Sequence, residues 1–285
     1  MISYSKYHAL GNDYIVMDPA RCSIELTPER IRLICHRNFG IGSDGILWGP
    51  VRENGRVSLK IFNPDGGEAE KSGNGVRIFS RYLIDSGYVA ADTFELDTLG
   101  GTVRVEKLDE EGRLLRVEMG KLSFCSSVIP VSGEERQVID EPMKFGGKTF
   151  RATCVTIGNP HCVIPVKSVS PELARSLGPL VENDPRFPNR INMQLLEVLD
   201  RSNIKIEIWE RGAGYTLASG TSSCAAAGAA FRLGLTENDV TVHMPGGEIR
   251  ISIGEDWTVR MTGSVNGVAD GEFAPQFEQE LRKLS

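Results

Sequence analysis

An internal duplication at a spacing of 147 residues runs through this chain. GNDYIVMD at 11–18 recurs as GNPHCVIP at 158–165, and LKIFNPDGGEAEKSGNG at 59–75 aligns with IKIEIWERGAGYTLASGTSS at 204–223, which pairs Ser72 with Ser219. Gly87 and Gly234 follow at the same spacing, and Gly100-Gly101 matches Gly246-Gly247 at 146. Both copies open a helix alike, with Thr27-Pro28-Glu29 and Ser170-Pro171-Glu172 each supplying an N-cap, a proline at the first helical position and an early acid. Landmarks in one order, at low identity, mark two copies of one folding plan.

The same string of elements fits each copy. An apolar strand near 13–18 precedes a helix at 28–37, strands near 45–49 and 57–63, and a glycine-rich loop opening a helix at 74–86. On that helix Val76, Phe79, Tyr82 and Leu83 share one face and Gly87 caps the end. A hairpin around the Gly-Gly turn completes the half, and the second copy has the alanine-rich helix SSCAAAGAAFRL. Strands, hairpins and single helices in this order predict an α+β fold of two pseudo-symmetric domains. Each is expected to be a strongly curved mixed sheet wrapped around a central helix. The expected boundaries are 1–120 plus 266–285 for the N-terminal half and 121–265 for the C-terminal half, with the join around 119–130.

Composition narrows the function. The 285 residues carry 32 basic and 38 acidic side chains, net −6, which lacks the basic footprint of a nucleic-acid binder. No run of 18 apolar residues and no signal-peptide core occur, so a soluble cytoplasmic protein without membrane association is expected. The six cysteines form no CxxC pair and read as mostly buried thiols.

Two loops end directly on helices: Ser72-Gly73-Asn74-Gly75 and Ser219-Gly220-Thr221-Ser222. Free N–H groups at a helix start, with glycines permitting close approach, suit a carboxylate. Two such ends related by pseudo-symmetry could present Ser72 and Ser219 to opposite faces of one ligand, a layout for removing a proton from one face and delivering it to the other. The plain alternative is a pair of glycine-rich turns. Asn12, Asn63, Asn159 and Asn192 sit at strand-to-loop transitions, as do His161, Glu210 and Arg211. Each asparagine alone is an ordinary turn residue. As a set, with Asn12 equivalent to Asn159 and Asn63 to Glu210, they suit a zwitterion whose second carboxylate meets the Arg211 fork.

The strings HALGNDY, FGIGSDG, FNPDGGE, SGNGVR, GNPHCV, FPNRIN and ERGAGYTLASGTSSCAAA resemble the diaminopimelate epimerase family across essentially the whole chain. The resemblance implies a cofactor-independent homodimeric amino acid epimerase with an interdomain active site. Its substrate would be a diamino dicarboxylic acid, L,L-diaminopimelate, converted to the meso form for lysine and peptidoglycan synthesis. It implies that each signature loop carries a cysteine, one thiolate taking the α-proton and the other thiol donating one, and these positions map onto Ser72 and Ser219. Substrate-binding positions map onto Asn12, Asn63, Gly73, Asn74, Asn159, Asn192, Glu210, Arg211, Gly220 and Thr221, with His161 and Glu210 beside the reacting centre.

A thiol of pKa about 8.5 can be lowered by a helix N-terminus into the physiological range, whereas a serine hydroxyl is too weak an acid to become a standing base. Two accounts of the hydroxyls stand: replacement of the thiols to trap ligand, or a natural variant with slower or altered chemistry. Tyr215, where a glutamate is expected, and Lys71, beside the first position, weigh toward the second. His161 or Glu210 would then act directly or through a hydroxyl.

Other chemistries fit less well. Gly40, Gly42 and Gly45 form a GxGxxG, but it follows a helix and enters a strand, the reverse of a dinucleotide site. Neither serine lies in GxSxG. His8, His36, His161 and His243 share no ligand spacing, so no metal is expected. A racemase of a different amino acid and a non-catalytic amino-acid-binding protein remain as competing readings.

Overall fold

The computed structural model describes residues 2–53, 56–69 and 72–284; Lys71 lies outside the described residues. Two compact units form, Met1–Val117 with Gly263–Ser285, and Glu118–Thr262.

The first unit contains β1 (Ser3–Ala9), β2 (Asn12–Met17), α1 (Pro28–Cys35), β3 (Ile46–Glu53), β4 (Arg56–Phe62), β5 (Glu68–Ala69), α2 (Gly73–Asp85), β6 (Thr93–Thr98) and β7 (Gly101–Lys107). β8 (Leu114–Lys121) leads out of it. The second contains β9 (Glu141–Phe145), β10 (Lys148–Thr156), β11 (Pro160–Pro165), α3 (Pro171–Glu182), β12 (Asn192–Asp200), β13 (Asn203–Glu210), β14 (Gly214–Thr216), α4 (Gly220–Arg232), β15 (Asp239–Met244) and β16 (Gly247–Ile253). β17 (Thr258–Ser264) leads back to β18 (Asn266–Glu272) and α5 (Pro275–Lys283), which complete the first unit.

Strand pairing repeats the duplication. In the first unit the ladder runs β18, β1, β2, β3, β4, β6, β7, β8, antiparallel throughout except β2 with β3 and β4 with β6. In the second it runs β9, β10, β11, β12, β13, β15, β16, β17, with parallel steps at the equivalent places, β11 with β12 and β13 with β15. The fold is α+β with mixed sheets, roughly duplicated, but the expected strongly curved wrap around a helix is corrected: the sheet is neither strongly curved nor closed. The terminal strands explain the open ends. β18 is mostly exposed and carries two glycines and two acids, opposite a register shift at Lys6/Tyr7. β9 carries Pro142, which cannot donate to a further strand.

Local chemistry sets the helices. Thr27 Oγ1 accepts from Arg30 N at 3.4 Å and Ser170 Oγ from Leu173 N at 3.2 Å, each with proline at the first turn, a cap worth about 1 kcal/mol. Gly40, Gly42 and Gly45 belong to the turn that closes α1: Ile41 and Gly42 donate to Ile34 O, and a Cβ on Gly40 would lie 2.0 Å from Leu33 O. α2 packs on β1, β2 and β3, with Val76, Ile78, Phe79 and Leu83 buried, and α4 packs on β10 to β13 with its alanines buried. Small residues bring α4 close, since a Cβ on Gly228 would fall 2.4 Å from Leu122 Cδ1. The core under α1 and α5 joins Ile15, Met17, Ile31, Ile34, Phe273 and Leu281, and Arg30 ties the two helices by donating to Leu281 O and Leu284 O.

Candidate functional site

In the first unit Ser72 is the N-cap of α2. Its Oγ accepts from Gly75 N at 3.0 Å and lies 3.3 Å from the Tyr14 hydroxyl. Behind it runs a chain of amides. Arg77, fully buried, donates to Asn74 Oδ1 at 2.6 Å; Asn74 Nδ2 donates to Asn12 Oδ1 at 3.1 Å; Asn12 Nδ2 donates to Asp44 Oδ2 at 2.8 Å. Arg37 bridges Asp44 and Asp13, and Lys6 holds Asp13 from the other side. Burial would raise the Asp13 pKa, but the hydrogen bonds from Arg37 and Lys6 outweigh it and hold the carboxyl below its usual range. The structure thus joins Ser72, Gly73 and Asn74 through helix α2, and Asn12 through its amide. Asn63 stands apart, exposed on the turn after β4, where its backbone closes on Gly66 and Gly67.

In the second unit Ser219 is the N-cap of α4. Its Oγ accepts from Ser222 N at 3.4 Å and lies 3.5 Å from Thr221 Oγ1. Asn159 Nδ2 donates to Thr221 Oγ1 at 3.3 Å, and Asn159 Oδ1 lies 2.9 Å from His161 Nε2. His161 is fully buried, and desolvation first of all, with the nearby Arg211 charge, pushes its pKa down to about 3, so the imidazole is neutral at physiological pH. Ser219, Gly220, Thr221, Asn159 and His161 therefore form one connected set.

Asn192 and Arg211 join this set through the main chain. Asn192 Nδ2 donates to Pro160 O and its Oδ1 accepts from Arg211 N, both at 2.9 Å, so this amide clamps backbone. The Arg211 side chain is exposed and donates to Asn189 O. Glu210 ends β13, its backbone paired with Gly214. Buried Glu182 supports this corner, accepting from Trp209 Nε1 at 2.7 Å, Gly212 N at 2.9 Å and Arg190 at 2.9 Å. Tyr215, where a glutamate was expected, donates to buried Glu207 at 2.6 Å beneath the Arg175 guanidinium; burial and that bond raise its hydroxyl to about 12.

Tyr14, Glu182 and Gln194 were not among the candidates from sequence. Gln194 lies two residues beyond Asn192 on the same strand, so period-two spacing puts it on the same face, and its Nε2 lies 3.0 Å from His161 Nδ1 and 2.9 Å from Ser222 Oγ. Among the described residues no group of three or more His, Cys, Asp or Glu side chains could hold a metal ion.

The expectation that serines replace the two thiols implied by the resemblance is corrected. The chain retains intact free cysteines, and Cys154 and Cys162 stand directly opposite each other on β10 and β11. Aligning motifs along the chain cannot reveal a thiol pair made by strand register. Both are fully buried, and the hydrogen bond with Cys162, then desolvation, raises the Cys154 thiol well above its ordinary range. At 72 and 219 the hydroxyls serve as helix caps.

Comparison with known proteins agrees along nearly the whole chain. The family profile described as Diaminopimelate epimerase matches residues 4–125 and 153–268. The chain is 54% identical over 276 residues to Diaminopimelate epimerase 2 of Nostoc sp. (strain PCC 7120), covering 96% of each. It is 41% identical over 274 residues to the Diaminopimelate epimerase of Pelotomaculum thermopropionicum, covering 95% of this chain and 98% of that one. Among solved structures, the fold is similar to a probable proline racemase from Agrobacterium radiobacter, with TM-score 0.72, 14% identity and coverage of 96% and 93%. It is also similar to a hydroxyproline epimerase from Agrobacterium vitis, with TM-score 0.69, 12% identity and coverage of 95% and 91%. With a profile match over both halves and relatives of such identity along their full length, the chain belongs to the diaminopimelate epimerase family.

Proposed function

We propose that this protein interconverts L,L- and meso-diaminopimelate by proton exchange at Cα, without a cofactor, as an isomerase of lysine biosynthesis. The observation that carries this reading, beside family membership, is the repeated half-site: a hydroxyl capping a helix, flanked by asparagine amides, at Ser72 and again at Ser219. Free N–H groups at each helix start favour the substrate carboxylate, and the Arg211 guanidinium suits the distal one. A serine alkoxide is too basic to persist at neutral pH, so each hydroxyl passes a proton on as it receives one. Tyr14 beside Ser72 and Thr221 beside Ser219 extend that path. The proton taken from one face of Cα is balanced by one given to the other, and exchange with solvent water restores both half-sites after each turnover. Glu210 supplies the carboxylate for the second half-site, while neutral His161 holds Asn159 in place. We place the enzyme in the cytoplasm as a homodimer supplying peptidoglycan and lysine precursors. No helix of the described residues is long and apolar enough to cross a membrane.

The test is incubation with L,L-diaminopimelate in heavy water. Deuterium should enter Cα while the meso isomer accumulates. Ser72→Ala and Ser219→Ala should each slow exchange by about 10²-fold or more. Binding without exchange would favour an amino-acid-binding protein, and exchange only in another amino acid would move the substrate.

A further inference from the structure

We infer that Gln194 is a positioning residue for this reaction, setting the direction of a closed ring of hydrogen bonds that orients the Asn159 amide; the inference rests on the epimerase reading above. The ring leaves α4 at Ser222, passes through Gln194 on β12, His161 on β11 and Asn159 just before β11, and returns to α4 at Thr221. Gln194, His161 and Ser222 are all fully buried, so water cannot substitute for a missing partner.

The direction follows from counting donors. Gln194 Nε2 has two hydrogens and two acceptors in reach, His161 Nδ1 at 3.0 Å and Ser222 Oγ at 2.9 Å. Its Oε1 is buried without a hydrogen-bond partner among the described residues. Turning the amide over would strand two buried N–H groups in place of one carbonyl oxygen, so nitrogen faces the ring. His161 Nδ1 is then an acceptor, the neutral imidazole carries its hydrogen on Nε2, and that hydrogen goes to Asn159 Oδ1 at 2.9 Å. Asn159 is left with Nδ2 toward Thr221 Oγ1, and its second Nδ2 hydrogen is a donor of fixed direction for a substrate carboxylate. Since Ser222 N also donates to Ser219 Oγ, the ring is anchored on the turn capped by the candidate catalytic hydroxyl.

The test reads the His161 tautomer by ¹⁵N NMR in the protein without substrate, together with KM and kcat for L,L-diaminopimelate. In the wild type the hydrogen should sit on Nε2. Gln194→Glu offers acceptors where the ring needs donors, so the hydrogen should appear on Nδ1. Asn159 must then turn, raising KM about tenfold while kcat changes far less. A wild-type imidazole protonated at Nδ1, or a Gln194→Glu protein with unchanged tautomer and KM, would overturn the inference. Gln194→Met fills the space without donating and serves if the acid variant does not fold: KM should rise similarly, and an unchanged KM would again overturn it. A wild type that shows the Nε2 hydrogen, and its switch in the variant, yet turns over no amino acid defeats the epimerase reading while the ring stands.

Discussion

Gly178 on α3 lies directly against Trp209 on β13: a Cβ on Gly178 would fall 2.2 Å from the indole Cγ. The indole is held there, its Nε1 donating to Glu182 one turn further along the helix. Alanine would favour the helix by about 1 kcal/mol, but a rigid ring cannot yield, and overpacking costs about 1–3 kcal/mol or more. Gly178→Ala should therefore lower the melting temperature by about 2–8 °C. A more stable variant would show that the helix shifts freely off the sheet.

Capping and chemistry at Ser72 can be separated. Ser72→Ala removes the acceptor of Gly75 N and should destabilise by about 1 kcal/mol. Ser72→Asn caps a helix as well as serine does but places an amide where the hydroxyl stood. Thermal unfolding should recover while deuterium exchange at Cα stays lost. Recovery of both would remove Ser72 from the chemistry and leave it a cap.

Neutral His161 makes stability pH-dependent. Its folded pKa of about 3 lies below the ordinary 6.5, so as pH falls the unfolded chain takes up the proton first. The contribution is complete above pH 6.5 and is lost between there and about pH 3, at about 1.4 kcal/mol per pH unit. Urea unfolding of the wild type and His161→Gln at pH 7.5, 6 and 5 measures this, and the gap between them should close on acidification. Parallel curves would mean that the imidazole titrates normally.

Asn74 joins a buried cation to an amide. Asn74→Leu takes from Arg77 an acceptor 2.6 Å away and should cost about 2–3 kcal/mol. Asn74→Asp keeps that acceptor but cannot donate to Asn12. It should stay within about 1 kcal/mol of the wild type while weakening substrate binding. Equal losses in the two variants would place the effect in packing rather than in the acceptor.

What could be read from sequence was local. Thr27, Ser72, Ser170 and Ser219 all cap their helices, because a cap bonds a backbone N–H only three residues on. Gly87 and Gly234 each adopt φ +71° after their helices, the conformation that a glycine at a helix end foretells. What escaped depends on pairing across distance. Gln194 meets His161 from 33 residues away through the register of β11 with β12, and Glu182 meets Trp209 from 27. Asn192 reads as an open amide in sequence yet spends both ends on backbone, and Tyr215 has its partner across a hairpin at Glu207. Whether a sheet closes, and which thiols face each other, are likewise settled by register rather than by motif.

The two capped helix starts descend from one plan but respond to different conditions. Around Ser72 the amides end in an ionic lattice, Asp44, Arg37, Asp13 and Lys6, with Arg37 open to solvent. Around Ser219 the ring from Ser222 to Thr221 holds no formal charge. Added salt screens the exposed charges of the first, whereas the ring itself offers no ion pair to screen. Ionic strength therefore acts on the bonds nearest Ser72 more directly than on those nearest Ser219, so one duplicated loop has come to be held by exposed charges and the other by buried neutral amides.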